Sequence, residues 1–524
     1  MVSLKCNSKR KFTERSRREQ TISPRTSTPL SVRFDKYFFS NIPFKFVADT
    51  IASNTLYKIL LLEGLKMRDM TEGNESRHIL YFTLPMLAGN VLQQFNMIVN
   101  SVIVGKAIGK SALAAVGSSF PVFFLVFALV MGITIGSTVL ISQYFGAKDM
   151  EKVKRTIDTT YIFLFVMIIP IMLIGIFFSG YILNLLKTPA DVFPQAKQYL
   201  IISFAGSAFM FGYMTIGAVL RGVGDSKSPF YFLVIYTIAN LILVSLFVSV
   251  FKLGIAGAAL ANISAQAIAF IYSVWFLQKS KYELLHFRFK KISFDKAIFG
   301  QSLKIGLPSG VQQMMVAVGM MALYRIVNAF GTDAVAAFAA AGTLDSFAAM
   351  PAMNLAMGLS TFTGQNMGAG KADRVKKGFA AAFYMSAAIS VVTSIVIYFF
   401  GSTMMRMFSS DPAVIDIGTH YLVIVSSFYI IFSTMFVTNG LIRGAGDTLI
   451  PMFITLIALW GVRIPVSAFL SNHMGTNGIW WGIPIAWTVG CICAFSYYLT
   501  GRWKRKAVVK QPPISEEAEV LAAA

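Results

Sequence analysis

Between His78 and Thr500 the chain divides into apolar runs of about 20 residues, near 78–100, 118–141, 157–178, 198–220, 230–251, 255–277, 303–327, 334–363, 378–400, 418–441, 450–470 and 478–500. At about 1.5 Å per residue, each run is long enough to cross a hydrocarbon layer of roughly 30 Å. Lipid offers the backbone no hydrogen bonds, so a spanning segment must be a helix or part of a closed barrel. The runs are too long for barrel strands and do not alternate with a period of two, which leaves helices. Composition agrees, because only 13% of residues are charged where a soluble domain carries about a quarter. The fold class expected is therefore an all-α polytopic membrane protein with twelve transmembrane helices.

Lysine plus arginine outnumber aspartate plus glutamate by 46 to 24, a net charge of +22. In a soluble protein this would suggest a nucleic-acid partner, but here the position of the charge excludes one. The loops after spans 2, 4, 6, 8 and 10 hold 18 basic residues and the opposite loops 7, the asymmetry of a positive-inside topology. Both termini are then cytoplasmic, in a multi-pass protein of the plasma (inner) membrane whose partner is the bilayer, with no second subunit implied. Residues 1–66 hold 13 basic and 5 acidic residues and no spanning run. They read as a disordered basic extension, a transit-like segment, or an over-extended start with translation beginning at Met67. The remaining divisions are a first bundle over 67–277, a connector over 278–302, a second bundle over 303–500 and a tail over 501–524. Cys6, Cys491 and Cys493 are the only cysteines, too few and too apolar in setting for a disulfide framework or metal cluster.

A shift of 222 residues aligns three separated blocks of the chain with itself. Gly109, Ala112, Ala114 and Ala115 fall on Gly331, Ala334, Ala336 and Ala337, and Gln143, Gly146 and Ala147 on Gln365, Gly368 and Ala369. The turn Arg221-Gly222-Val223-Gly224-Asp225 falls on Arg443-Gly444-Ala445-Gly446-Asp447. A shift spanning six helices preserves orientation, so the halves are parallel repeats: two pseudo-symmetric six-helix bundles about an axis along the membrane normal, with a cleft between them.

These blocks resemble the multidrug and toxin extrusion (MATE) family. The resemblance is carried by Leu84-Pro85 with Gln93-Gln94, Val104-Gly105 followed by Ala112–Val116, Gly146-Ala147-Lys148, the two Arg-Gly-x-Gly-Asp turns, the Asp345–Pro351 stretch and Arg463-Ile464-Pro465. It implies a secondary antiporter that exports amphiphilic, often cationic organic compounds in exchange for H+ or Na+, by alternating access and with no cofactor. Family members usually carry an aspartate where this chain has Asn100, and often another where it has Val244. The acids that a sodium-coupled branch places in helices seven and ten are also missing.

Charges retained inside spans are costly and so mark candidate sites. Asp345 lies about 16 Å into span 8 and Arg463 about 11 Å into span 11 from the same face. They are expected to share one polar network, with Asp345 as the coupling carboxylate, the alternative being a fixed structural pair. Asp416, His420, Ser427, Thr434 and Thr438 fall on one face of span 10 at 100° per residue, and His420 is a candidate proton carrier or simply a surface histidine. Gln93, Asn96 and Asn100 form a stripe on span 1, and Ser309, Gln313 and Tyr324 another on span 7. Both stripes are expected to line the cavity or join helices. Arg221, Asp225, Arg443 and Asp447 are read as structural or gating elements in which arginine and aspartate pair or bind carbonyls. Enzyme signals are absent: the Gly364–Lys371 stretch lacks the spacing of a phosphate loop, and the four histidines lack zinc spacing. A flippase for a lipid-linked sugar on the same architecture, and a non-transporting receptor or scaffold, remain the alternative functions.

Overall fold

The computed structural model describes residues 66–185, 188–287 and 293–509. The extension expected over 1–66, apart from Lys66, and the tail beyond 509 lie outside the described residues. Among those described, every regular element is helical.

Helix α1 (Glu75–Ala107) is opened by Asn74, whose side chain accepts from the Arg77 N–H. It is followed by α2 (Lys110–Gly146), α3 (Met150–Leu185), α4a (Phe193–Ala205) with α4b (Ser207–Gly222), α5 (Lys227–Val244) running into a π turn over Ser245–Val250, and α6 (Gly254–Lys279). The second set is α7 (Lys296–Asn328), α8 (Thr332–Gly368), α9 (Ala372–Arg406), α10a (Pro412–Ser426) with α10b (Tyr429–Gly444), α11a (Leu449–Leu456) and α11b (Ile464–Met474) flanking a π turn over Ile457–Arg463, and α12 (Thr476–Leu499). Aspartates cap two helices of this set: Asp295 accepts from the Ala297 and Ile298 N–H groups, and Asp411 from that of Ala413. Among the described residues nine helices qualify as spans by length and composition, and the bent pairs α4a/α4b (51°) and α10a/α10b (54°) bring the number to eleven. The twelfth is α1, whose row of amides lowers its apolar character. The two-repeat, twelve-helix layout is therefore present.

The first and seventh helices do not stay within their own bundles. Ile79 and Phe82 of α1 pack among Leu355, Phe362, Phe379 and Leu441 of the second half. Ile298 and Ile305 of α7 pack among Ile141, Val153, Val219 and Phe232 of the first. Farther along, Val104 returns to Ala112, Ala115 and Val244, and Val327 to Ala334, Phe338 and Leu422. Between the exchanged and returned portions stand Pro85 and Pro308, both inside helices. A proline there removes one backbone hydrogen bond and eases a bend, so each helix crosses the seam next to the residue that permits it.

The bundles meet at the ends that carry the basic loops. Glycines allow backbone contact there: a Cβ on Gly132 would stand 2.6 Å from the Gly306 carbonyl oxygen and the Gly310 nitrogen. About 14 residues farther toward the basic side, α2 and α8 cross, with Gly146 against Gln365 and Gly368 against Gln143. Asn90 of α1 donates to the Asn354 side chain of α8 at 3.1 Å, near mid-helix. Beyond that level α1 and α7 have rejoined their own bundles.

Candidate functional site

In the second bundle a carboxylate is held by two phenols. The Tyr429 hydroxyl donates to Asp345 Oδ1 at 2.7 Å and the Tyr421 hydroxyl to Oδ2 at 3.2 Å. On an unbroken helix, residues eight apart would lie about 12 Å apart along the axis. The break between α10a and α10b folds the two tyrosines onto one carboxylate. Phe338 stacks on Trp480 (centroids 5.4 Å apart) and meets Tyr421 edge-on at 5.9 Å, giving the site an aromatic wall. Arg463, at the end of the π turn in α11, acts on Asp345 electrostatically without bonding to it. Its Nη1 contacts the Met320 sulfur at 3.9 Å, and its Nε is buried without a partner. The alternative of a fixed Asp345–Arg463 pair is not what the structure holds: the carboxylate is bonded by the two tyrosines, with the arginine as a neighbour.

The same break corrects the expected polar face of span 10. Asp416 and His420 are exposed on α10a, where the His420 ring lies 3.5 Å from the Asp416 carboxylate. Ser427 sits exposed at the break, Thr434 is part-buried on α10b, and Thr438 is fully buried. A 100° helical wheel does not continue through a 54° bend, so these residues do not form one surface.

The first bundle holds an uncharged counterpart. Asn100 Nδ2 donates to Asn240 Oδ1 at 2.6 Å, to Asn96 Oδ1 at 3.1 Å and to the Asn96 carbonyl at 2.9 Å. Asn240 is 1% exposed, and its own Nδ2 has no partner. Nearby, the Tyr236 hydroxyl and Gln266 Nε2 both donate to Asn262 Oδ1, at 2.8 and 3.3 Å, and Tyr213 stacks on Tyr236. Gln93 is exposed and stands apart from this group. None of the amides can exchange a proton, so the cluster can only donate and accept hydrogen bonds.

On α7 the buried amide is Gln312, one residue from the expected Gln313. Gln312 donates to Thr455 Oγ1 at 2.6 Å and accepts from Arg443 Nη2 at 3.3 Å. Gln313 is part-buried, Ser309 is buried with an unpartnered hydroxyl, and Tyr324 is 39% exposed against Phe338.

In the Arg-Gly-x-Gly-Asp turns the arginines and aspartates go to separate partners instead of pairing with each other. Asp225, two residues before α5, accepts from the Lys227 and Ser228 N–H groups and the Ser228 hydroxyl. Asp447 accepts from the Tyr497 hydroxyl at 2.6 Å, with Lys506 Nζ at 3.5 Å. Arg443 turns to Gln312, and Arg221 lies along its own helix so that a Cβ on Gly217 would meet its Nη1 at 3.3 Å.

Tyr421, Tyr429, Tyr236 and Asn262 escaped the sequence reading. The tyrosines pass as ordinary aromatics in apolar runs. Asn262 did leave a signal, as a lone amide in the small-residue helix α6. Among the described residues no group of three metal-binding side chains occurs.

The MatE family model matches residues 85–246 and again 308–469, so each bundle matches once and the two matches begin at Pro85 and Pro308. The probable multidrug resistance protein YpnP of Bacillus subtilis is 35% identical over 442 residues, covering 84% of this chain and 98% of that protein. The probable multidrug resistance protein NorM of Thermotoga maritima is 26% identical, covering 84% and 96%. Among solved structures, a multidrug resistance MATE transporter in its outward-facing conformation superposes with a TM-score of 0.79 at 20% identity, covering 84% of this chain and all of that one.

Proposed function

The chain belongs to the MATE family, and from that premise we propose that it is a secondary antiporter exporting amphiphilic, often cationic organic compounds by alternating access. The relatives named for multidrug resistance and export support this substrate class. The excess of lysine and arginine in the loops beside the bundle seam supports a cytoplasmic seam.

The observation that carries the coupling proposal is the contrast between the bundles. The first bundle's cluster consists of carboxamides and phenols around Asn100 and Asn240, none of which titrates near neutral pH. The second bundle holds Asp345, clasped by Tyr421 and Tyr429 beside aromatic rings. Asp345 is therefore the residue that binds the coupling cation, H+ or Na+, in one conformation and releases it in the other. A lipid-linked-sugar flippase needs several cationic groups in its cavity, whereas by sequence position only Arg325 and Arg463 lie deep enough in the spans to serve.

The test is export of a fluorescent organic cation from proteoliposomes with proton and sodium gradients imposed separately. Asp345→Asn keeps the side-chain shape but removes the charge. Export by the wild type accelerates under one of the gradients, and the variant loses that response while still equilibrating the dye. A variant that responds to the gradient as the wild type does would overturn the assignment.

A further inference from the structure

At the basic-side mouth the bundles are tied by side chains in a reciprocal pattern. Gln143, at the end of α2, donates Nε2 to the Gly444 carbonyl of the second bundle at 3.0 Å and accepts from the Val508 N–H at 2.8 Å. Its repeat mate Gln365 donates to the Gly222 carbonyl of the first bundle at 3.5 Å and accepts from the Met70 N–H at 2.9 Å. Both glutamines are fully buried. Each thus clasps the opposite bundle's Arg-Gly-x-Gly-Asp turn and one terminal segment.

The second glycine of each turn seats that bundle's own terminal segment. Gly224 and Gly446 have φ of +85° and +101°, values that favour glycine. A Cβ on Gly224 would stand 2.3 Å from the Arg68 carbonyl oxygen, and one on Gly446 2.8 Å from that of Lys506. The segment before α1 therefore lies on the first bundle's turn and gives its Met70 N–H to the second bundle's glutamine. The segment after α12 lies on the second bundle's turn and gives its Val508 N–H to the first bundle's glutamine. Apolar residues follow the same exchange: Met67 packs against the first bundle's core while Met70 is buried in the second's, and Trp503 is buried in the second's while Val508 packs against the first's.

We infer that segments 66–70 and 503–508 are twin latches across the cytoplasmic mouth, and that Gln143 and Gln365 are the positioning residues that hold them shut. This inference rests on the alternating-access reading, since inward opening must break all four glutamine bonds and lift each terminal segment from the bundle opposite its seat. Neither glutamine touches substrate. The duplicated turns serve as the seats of the latches.

The test uses the full chain with its three cysteines changed to serine and Ser142→Cys as reporter. Ser142 is fully buried at the seam, where a Cβ on Gly364 would lie 2.0 Å from its Oγ. Ser273→Cys, fully buried inside α6, serves as control. A charged maleimide is applied in detergent solution without substrate or gradient, so the outcome does not depend on the coupling test of Asp345. Gln143→Ala with Gln365→Ala is expected to speed modification at position 142 at least fivefold and leave position 273 slow. Val508→Pro, which lacks the donated N–H, is expected to give a smaller rise at 142 alone. An unchanged rate at 142 in both variants overturns the latch. An equal rise at 273 also overturns it, because the glutamines would then be holding the fold and not the mouth.

Discussion

Gly146→Ala tests directly whether the α2–α8 crossing is the cytoplasmic seal. A Cβ at this position would stand 1.9 Å from the Gln365 carbonyl oxygen and 2.6 Å from its carbon. Non-bonded heavy atoms settle at about 3.5 Å, so the crossing must open by roughly 1.5 Å, and no side-chain rotation relieves a clash with backbone. Gln143 lies one turn back, and the same displacement stretches its 3.0 Å bond to Gly444 past the limit of about 3.5 Å at which a hydrogen bond survives. Overpacking of this kind costs about 1–3 kcal/mol. Only the closed mouth bears that cost, because in the open form the Gln365 carbonyl has moved away, so the equilibrium shifts toward the open mouth by about 5–150-fold. Spin labels at Glu151 and Lys377, exposed on opposite bundles at the basic rim, report the change as a longer interlabel distance. Gly117→Ala, where a Cβ meets nothing within 4 Å, is the matched control and leaves the distances unchanged. A Gly146→Ala protein with the wild-type distance distribution and wild-type export rate would refute the seal.

Asn100→Asp replaces a donor to three oxygens with a group that only accepts unless protonated. The oxygens facing it then lose their donor, so thermal melts should show a loss of about 1–3 kcal/mol, and an unchanged melting curve would show that these amide bonds do not hold the bundle. At Asp69, burial alone would raise the carboxyl pKa, but hydrogen bonds from Lys148 and Thr71 outweigh it and bring the pKa down to about 2. Its contribution to stability is therefore complete above about pH 4 and is lost as pH falls toward 2. Asp69→Asn should flatten the stability profile across that window, and an unaltered slope would show that other carboxylates set it. His420→Gln should leave the gradient dependence of export as in the wild type, because the ring is exposed on α10a. A lost proton response in that variant would move coupling away from Asp345.

The twelve spans were readable because lipid imposes a local rule, a run of apolar residues long enough to satisfy its own backbone in a helix. The parallel repeat was readable because duplicated turns and glycines keep their spacing along the chain. Asn100 was legible as a departure, and the structure shows where its amide goes. The site around Asp345 was legible in its carboxylate and in its neighbour Arg463, and not in the groups that bond the carboxylate. Tyr421 and Tyr429 lie 76 and 84 residues away from it and reach it through a helix break that no residue in the local pattern announces.

Sequence alone determined that this chain is a duplicated helical membrane protein and which intramembrane charges it retains, since burying backbone or charge in lipid is penalised residue by residue. Only the tertiary structure decided that α1 and α7 exchange bundles at Pro85 and Pro308, that the turn arginines and aspartates go to separate partners, and that Gln143 and Gln365 close on turns and termini up to 365 residues away. Those choices depend on which surfaces meet across the seam, and a one-dimensional pattern carries no record of a contact made by folding the chain back on itself.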